Sequence, residues 1–135
     1  MKNFSNRVAV ITGAASGFGR EFAFLAASLG MKCVLTDVQQ EALATTAKEL
    51  EATGAEVIFQ LCDVSKGDHV EALANAAMKR FGAVQLVFNN AGVGAGGLVW
   101  ENSRADWEWV LGVNLWGVDR KSTRLNSSHI TISYA

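Results

Sequence analysis

Short apolar, β-branched runs alternate along this chain with longer stretches in which apolar positions recur every three or four residues. The run RVAVIT, residues 7–12, predicts a buried strand, and residues 17–29 predict a helix with Phe18, Phe22, Leu25 and Leu29 on one face, closed by Gly30. KCVLTD (32–37) predicts a second strand, followed by a helix over 39–53 and a turn at Gly54. AEVIFQLCDV (55–64) predicts a third. Ser65 and Asp68 then stand at capping-box spacing ahead of a helix that runs through Ala72, Ala76 and Met78 to Phe81. AVQLVFNNAG (83–92) predicts a fourth strand and its turn. Ser103 lies three residues before Asp106, at the start of a helix carrying Trp107, Val110, Leu111 and Asn114.

This regular strand–helix alternation predicts right-handed crossovers and an α/β doubly wound parallel sheet covered on both faces. The strands are apolar almost throughout, whereas a sheet wet on one side would alternate. From 119 to 135 the pattern stops: DRKSTRLNSSHITISYA has neither the strand nor the helix period.

Composition narrows the function. With 135 residues, half of them hydrophobic and 19% charged, the chain has the size and character of one globular domain. It carries 12 Lys plus Arg against 13 Asp plus Glu. Without residues 119–135 the balance is 9 against 12, or −3, which offers no footprint for nucleic acid or an anionic membrane. Cys33 and Cys62 sit in apolar runs without metal-ligand spacing and read as buried small hydrophobes, so no metal site is expected. His69 falls in the first turn of a helix and reads as solvated. The N-terminus lacks a secretory h-region and no apolar run reaches a bilayer span, so a reducing, cytoplasmic setting is expected.

TGAASGFG, residues 12–19, lies where the first strand hands over to the first helix. There Gly13 permits a sharp turn, Gly17 lets backbone N–H groups approach a pyrophosphate, and Gly19 permits close packing of the helix. The helix N-terminus turns its positive dipole end toward the phosphates. Eighteen residues after Gly19 comes Asp37, whose carboxylate suits the two ribose hydroxyls of an adenosine and would repel a 2′-phosphate. A helix N-cap is the other reading of Asp37. Neither Ala15 nor Val38 supplies a basic group for that phosphate, so NAD is favoured over NADP.

Together TGxxxGxG at Thr12, Gly13, Gly17 and Gly19, NNAG at 89–92, and Asn114 in a following helix resemble the short-chain dehydrogenase/reductase family, in its compact branch. The resemblance covers roughly residues 1–118 and implies a Rossmann-like sheet in the order 3-2-1-4, here truncated. It further implies that Thr12, Gly13, Ser16, Gly17, Phe18 and Gly19 form the dinucleotide loop and that Asp37 holds the adenosine ribose. Asp63 and Val64 resemble the adenine-contacting pair, and Asn90, Ala91 and Gly92 the stretch beneath the ribose and nicotinamide, with Asn89 bracing the central strands. Asn114 matches a helix asparagine of the catalytic relay; a local backbone bond is its other reading. The family's activity is hydride transfer between NAD(P) and an alcohol or ketone, and its members usually form homo-oligomers.

The family's catalytic tyrosine, the lysine four residues beyond it and the serine before it have no match. Tyr134 is the single tyrosine, too near the end for a following lysine, and is rejected as catalytic. Residues 119–129, read back into codons, resemble a common sequencing-library adapter. Ile130 and Thr131 fit its index, and residues 132–135 fit the bases beyond it. The expectation is therefore an incomplete NAD(P)-binding domain over 1–118, inactive alone, and a disordered tail over 119–135 of artefactual origin. The fourth strand would then be an open edge, and Trp100, Trp107, Trp109 and Trp116 would be partly uncovered.

Overall fold

The computed structural model describes residues 3–125 and 131–134. Strands β1 (Val8–Thr12), β2 (Lys32–Asp37), β3 (Val57–Leu61), β4 (Leu86–Asn89) and β5 (Thr131–Tyr134) form one sheet in the order β3-β2-β1-β4-β5. Every pairing is parallel, with Ala9 opposite Cys33 and Leu86, and Val34 opposite Ile58. The expected order 3-2-1-4 is present, and β5 continues it beyond β4.

Helices α1 (Gly17–Ser28) and α2 (Gln40–Ala52) pack on one face of the sheet, and α3 (Gly67–Phe81) on the other. Alternation along the strands feeds both cores. Ala9, Ile11, Cys33 and Leu35 pack with Ala23, Ala26, Leu43 and Leu50, whereas Val8, Val10, Val34 and Val87 pack with Val70, Leu73 and Ala77. After β4 a glycine-rich loop and a short 3-10 turn (Val99–Glu101) lead to α4 (Arg104–Leu111). A π-helical turn over Gly112–Trp116 then passes into α5 (Gly117–Leu125).

Three expectations need correction. The buried stripe of α1 is Gly19, Ala23 and Ala26, while Phe18, Leu25 and Leu29 are exposed. Small side chains let this helix lie close to the sheet, while Phe22, also on the expected face, is partly buried against that core and stacks on Phe88 with ring centroids 5.0 Å apart. Ser65 does not cap α3: its N–H and Oγ both bond to Asp63 Oδ1, and Lys66 occupies the cap position without a side-chain bond. The box at Ser103 and Asp106 does form.

The third correction concerns the expected disordered tail. Residues 119–125 continue the helix past Val118, and 131–134 form β5, which covers the edge of β4. Residues 126–130 and 135 lie outside the described residues. Tertiary contacts account for the helix: Leu125 is buried among Val70, Leu73 and Val113, Arg124 pairs with Glu71 on α3, and Arg120 donates to the Ser65 carbonyl. The four tryptophans are 46–80% exposed, as expected.

Candidate functional site

Thr12 is the hub of the site. Fully buried at the end of β1, its Oγ1 donates to the Phe88 carbonyl at 3.1 Å and accepts the N–H groups of Asn90 and Ala91 at 3.1 and 3.0 Å. The Asn90 amide returns to the carbonyls of Thr12 and Gly13. These bonds tie the loop after β1 to the turn after β4, so the two glycine-bearing segments form one edge.

Glycine is required in this loop for two reasons. Gly13 and Gly17 have φ of +68° and +55°, a region that a side chain disfavours. Gly19 is packed: a Cβ there would lie 2.0 Å from the Gly13 carbonyl oxygen and 2.6 Å from Asn90 Nδ2. By contrast the space beside Gly17, at the start of α1, is open to 4 Å. Ser16 precedes the helix in an extended conformation and makes no side-chain cap bond. The helix thus presents free N–H groups and a hydroxyl to open space, the arrangement that binds phosphate.

Asp37 sits at the C-terminal end of β2. Its Oδ2 accepts the Ala15 N–H at 3.0 Å, and Oδ1 accepts those of Val38 and Gln39 at 2.7 and 3.2 Å. The carboxylate braces the glycine loop and closes a turn onto Val38 and Gln39, but it does not cap α2: Gln39 occupies the cap position, without a side-chain bond, so the helix-cap reading is corrected. Asp63, after β3, is pulled below the usual carboxylate range by its bonds from Ser65, which outweigh the opposing effect of partial burial, the largest single influence. His69 is more than a solvated helix residue, since its Nδ1 accepts the Asp63 N–H at 3.1 Å.

A cavity of about 490 Å³ opens along the C-terminal ends of the strands. Of the residues singled out in the sequence, Gly13, Ser16, Asp37, Asp63, Val64, Asn90, Ala91 and Gly92 line it. Thr12, Gly17, Phe18, Gly19 and Asn114 do not. Thr12 and Gly19 support the wall from beneath, while Phe18 is 78% exposed on the outer side of α1. Thr36, Val38, Gln39, Cys62, Val93, Trp109 and Val113 also line the cavity and were not among the expected site residues. Val38 and Gln39 were findable as neighbours of Asp37. Trp109 and Val113 were not, because only tertiary folding brings their helix across the opening.

Asn114 lies in the π-helical turn. Its amide pairs with the backbone of Val93 in both directions: Oδ1 accepts the N–H at 2.9 Å and Nδ2 donates to the carbonyl at 2.8 Å. The side chain therefore fastens the helix to the strand-end loop. Asn89, expected as a brace, is buried, yet its amide has no hydrogen-bond partner among the described residues. Burial pushes the Cys33 thiol up to about 12 and raises that of Cys62, so neither supplies a thiolate near neutrality. Among the described residues no cluster of His, Cys, Asp and Glu could hold a metal ion, and no helix is long and apolar enough to cross a membrane.

A glycine loop opening a helix, an acid at the end of the neighbouring strand and a cavity along the strand ends describe a dinucleotide crevice. Comparison with known proteins agrees. The family model for short chain dehydrogenase matches residues 7–125. The chain is 42% identical over 115 residues to the CLA biosynthesis dehydrogenase/reductase of Lactiplantibacillus plantarum, covering 85% of this chain and 40% of that protein. The crystal structure of a short chain dehydrogenase/reductase from Burkholderia phymatum in complex with NAD superposes with a TM-score of 0.93 at 54% identity, covering 98% of this chain and 50% of that one. An alcohol dehydrogenase from Thermococcus sibiricus complexed with 5-hydroxy-NADP superposes with a TM-score of 0.88 at 35% identity, covering 92% and 53%. The chain thus spans about two fifths to one half of the length of these relatives. It belongs to the short-chain dehydrogenase/reductase family of oxidoreductases.

Proposed function

We propose that this member of the short-chain dehydrogenase/reductase family carries the cofactor half of an NAD-dependent oxidoreductase acting on a small alcohol or ketone. The observation that carries the reading is the cavity joining Gly13 and Ser16 to Asp37, Asp63 and the turn at Asn90–Gly92. When bound, the nicotinamide supplies the hydride chemistry. The chain's own residues bind and orient: Ser16 and the first N–H groups of α1 take the phosphates, Asp37 the adenosine ribose, and the Asn90–Gly92 backbone the second ribose.

Asp37 favours NAD over NADP because a 2′-phosphate would meet a carboxylate held in place by three backbone N–H groups. Titration of the protein with NADH and NADPH should give tighter binding of NADH. Asp37→Asn, which removes the charge and keeps the shape, should narrow the gap. Equal affinities for both in the wild-type chain would refute the preference.

A positioned cofactor without a general acid leaves the alkoxide proton nowhere to go, so the chain alone should not turn NADH over. Measurable turnover by a pure sample would contradict this. The complete protein would be a cytoplasmic homo-oligomer. Two other readings are a dinucleotide-binding module without catalysis and a non-functional gene piece; NADH binding separates the last from the rest.

We further propose that residues from Asp119 onward are foreign to the gene. Support comes from Lys121, fully buried yet near no carboxylate among the described residues, and from Ser122, whose buried Oγ has no partner among them. A segment suited to this place would put apolar side chains there. Sequencing the source DNA across the Val118 codon with a primer outside the adapter tests this. A frame continuing into a serine and a YxxxK supports both proposals; a genomic frame that encodes residues 119–135 and stops overturns them.

A further inference from the structure

We infer that Trp109 is the outer wall of the adenine end of the crevice and sets its preference for a flat purine ring. The inference rests on the dinucleotide reading above and adds to it a residue that none of the sequence motifs contains.

The π-helical turn lies directly on the turn that follows β3. A Cβ on Gly112 would sit 3.3 Å from Ser65 Cβ, and one on Gly117 would sit 3.0 Å from both Val64 Cγ2 and the Val64 carbonyl oxygen. This close approach carries the preceding turn of helix, with Trp109, to the rim beside Asp63 and Val64. Trp109 and Val38 line the same cavity, are 50% and 62% exposed, and belong to neither hydrophobic core. Val113, four residues on, lines the same opening but is buried in the core.

The apolar walls thus come from Val38, Trp109 and Val113, and the polar edges from Asp37 and Asp63. Both bonds that Ser65 donates to Asp63 end on Oδ1, so among the described residues Oδ2 remains for a ligand donor. Apolar faces with an acceptor at the edge suit adenine, whose two ring faces are apolar and whose amino group donates. Trp107 and Trp116 are about as exposed as Trp109 but do not line the cavity, so exposure alone does not single it out.

The test uses the whole chain with two probes, ADP-ribose, which carries adenine without nicotinamide, and nicotinamide mononucleotide, which carries the reverse. Trp109→Ala should weaken ADP-ribose roughly 5- to 100-fold, the range for losing one base–aromatic stack. Trp109→Phe, still flat, should stay within a few-fold of wild type, and mononucleotide affinity should not move. ADP-ribose should also change the tryptophan emission of wild type and Trp107→Phe far more than that of Trp109→Phe. If the alanine variant does not fold, Trp109→Leu, apolar but not flat, takes its place with the same expected loss. Unchanged ADP-ribose affinity in the folded Ala or Leu variant overturns the role of Trp109 and leaves the dinucleotide reading standing. Failure of wild type to bind either ADP-ribose or NADH overturns both.

Discussion

Helices α3 and α5 lie side by side on the same face of the sheet, and their sequences account for that place in opposite ways. Helix α3 buries Val70, Leu73, Ala74 and Ala77, carries Asp68 in its first turn and Lys79 and Arg80 in its last, and is closed by Gly82 in the left-handed region. Stripe, dipole and cap all favour the same helix. Helix α5 buries Gly117, Lys121 and Leu125, every fourth residue, with a cation in the middle of the stripe. Among the described residues Lys121 Nζ reaches only Thr12 Oγ1, at 3.3 Å. A segment can therefore be drawn into a vacant place by its ends and neighbours while its central side chain opposes that place.

Opposite signs at two matched positions would sharpen the comparison most. Leu73→Ala should destabilise the chain by about 2–5 kcal/mol in urea unfolding, the cost of a core cavity. Burial holds the Lys121 amine at about 8 instead of its ordinary 10.5. A shift of that size corresponds to a penalty on the order of 3 kcal/mol at neutral pH, so Lys121→Met should stabilise by a similar amount. Loss of stability in the methionine variant would break the contrast.

The same difference should be visible with pH alone. The native state releases the Lys121 proton near pH 8 and the unfolded chain near 10.5, so between these values the unfolded state binds more protons. Stability should therefore rise with pH through this window, and the full penalty should stand below it. The slope should be absent from Lys121→Met. A wild-type curve without a rise would place the amine in water, outside the core.

The smallest effect is expected where the two helices touch at the surface. Arg124 and Glu71 are about half exposed, and their ion pair should contribute little. Arg124→Ala should leave the urea midpoint unchanged within error. A large loss there would mean that this pair holds α5 in place.

Most of α3 could be read from its own residues, because periodicity, charge order and the closing glycine are local signals. The four strands and the glycine loop were legible for the same reason, since β-branched runs and the spacing of Gly13, Gly17 and Gly19 survive without tertiary context. The buried face of α1 was not, because Gly19, Ala23 and Ala26 signal closeness to the sheet more than hydrophobicity. The bond between His69 and Asp63 and the position of Trp109 depend on how one element meets another. Helix α5 and strand β5 were least legible, for their residues carry no period and their structure comes from what they pack against.

The π-helical turn over Gly112–Trp116 also has a meaning in terms of phase. It amounts to one residue more than an α-helix needs, and each residue advances the helical azimuth by about 100°. Deleting a single residue between 112 and 116 would restore the regular winding and rotate everything on one side of the turn by that angle relative to the other. Asn114 would then no longer face Val93, and Trp109 and the buried stripe of α5 could not both keep their directions. The surplus residue is thus the offset that lets one continuous helix serve two surfaces.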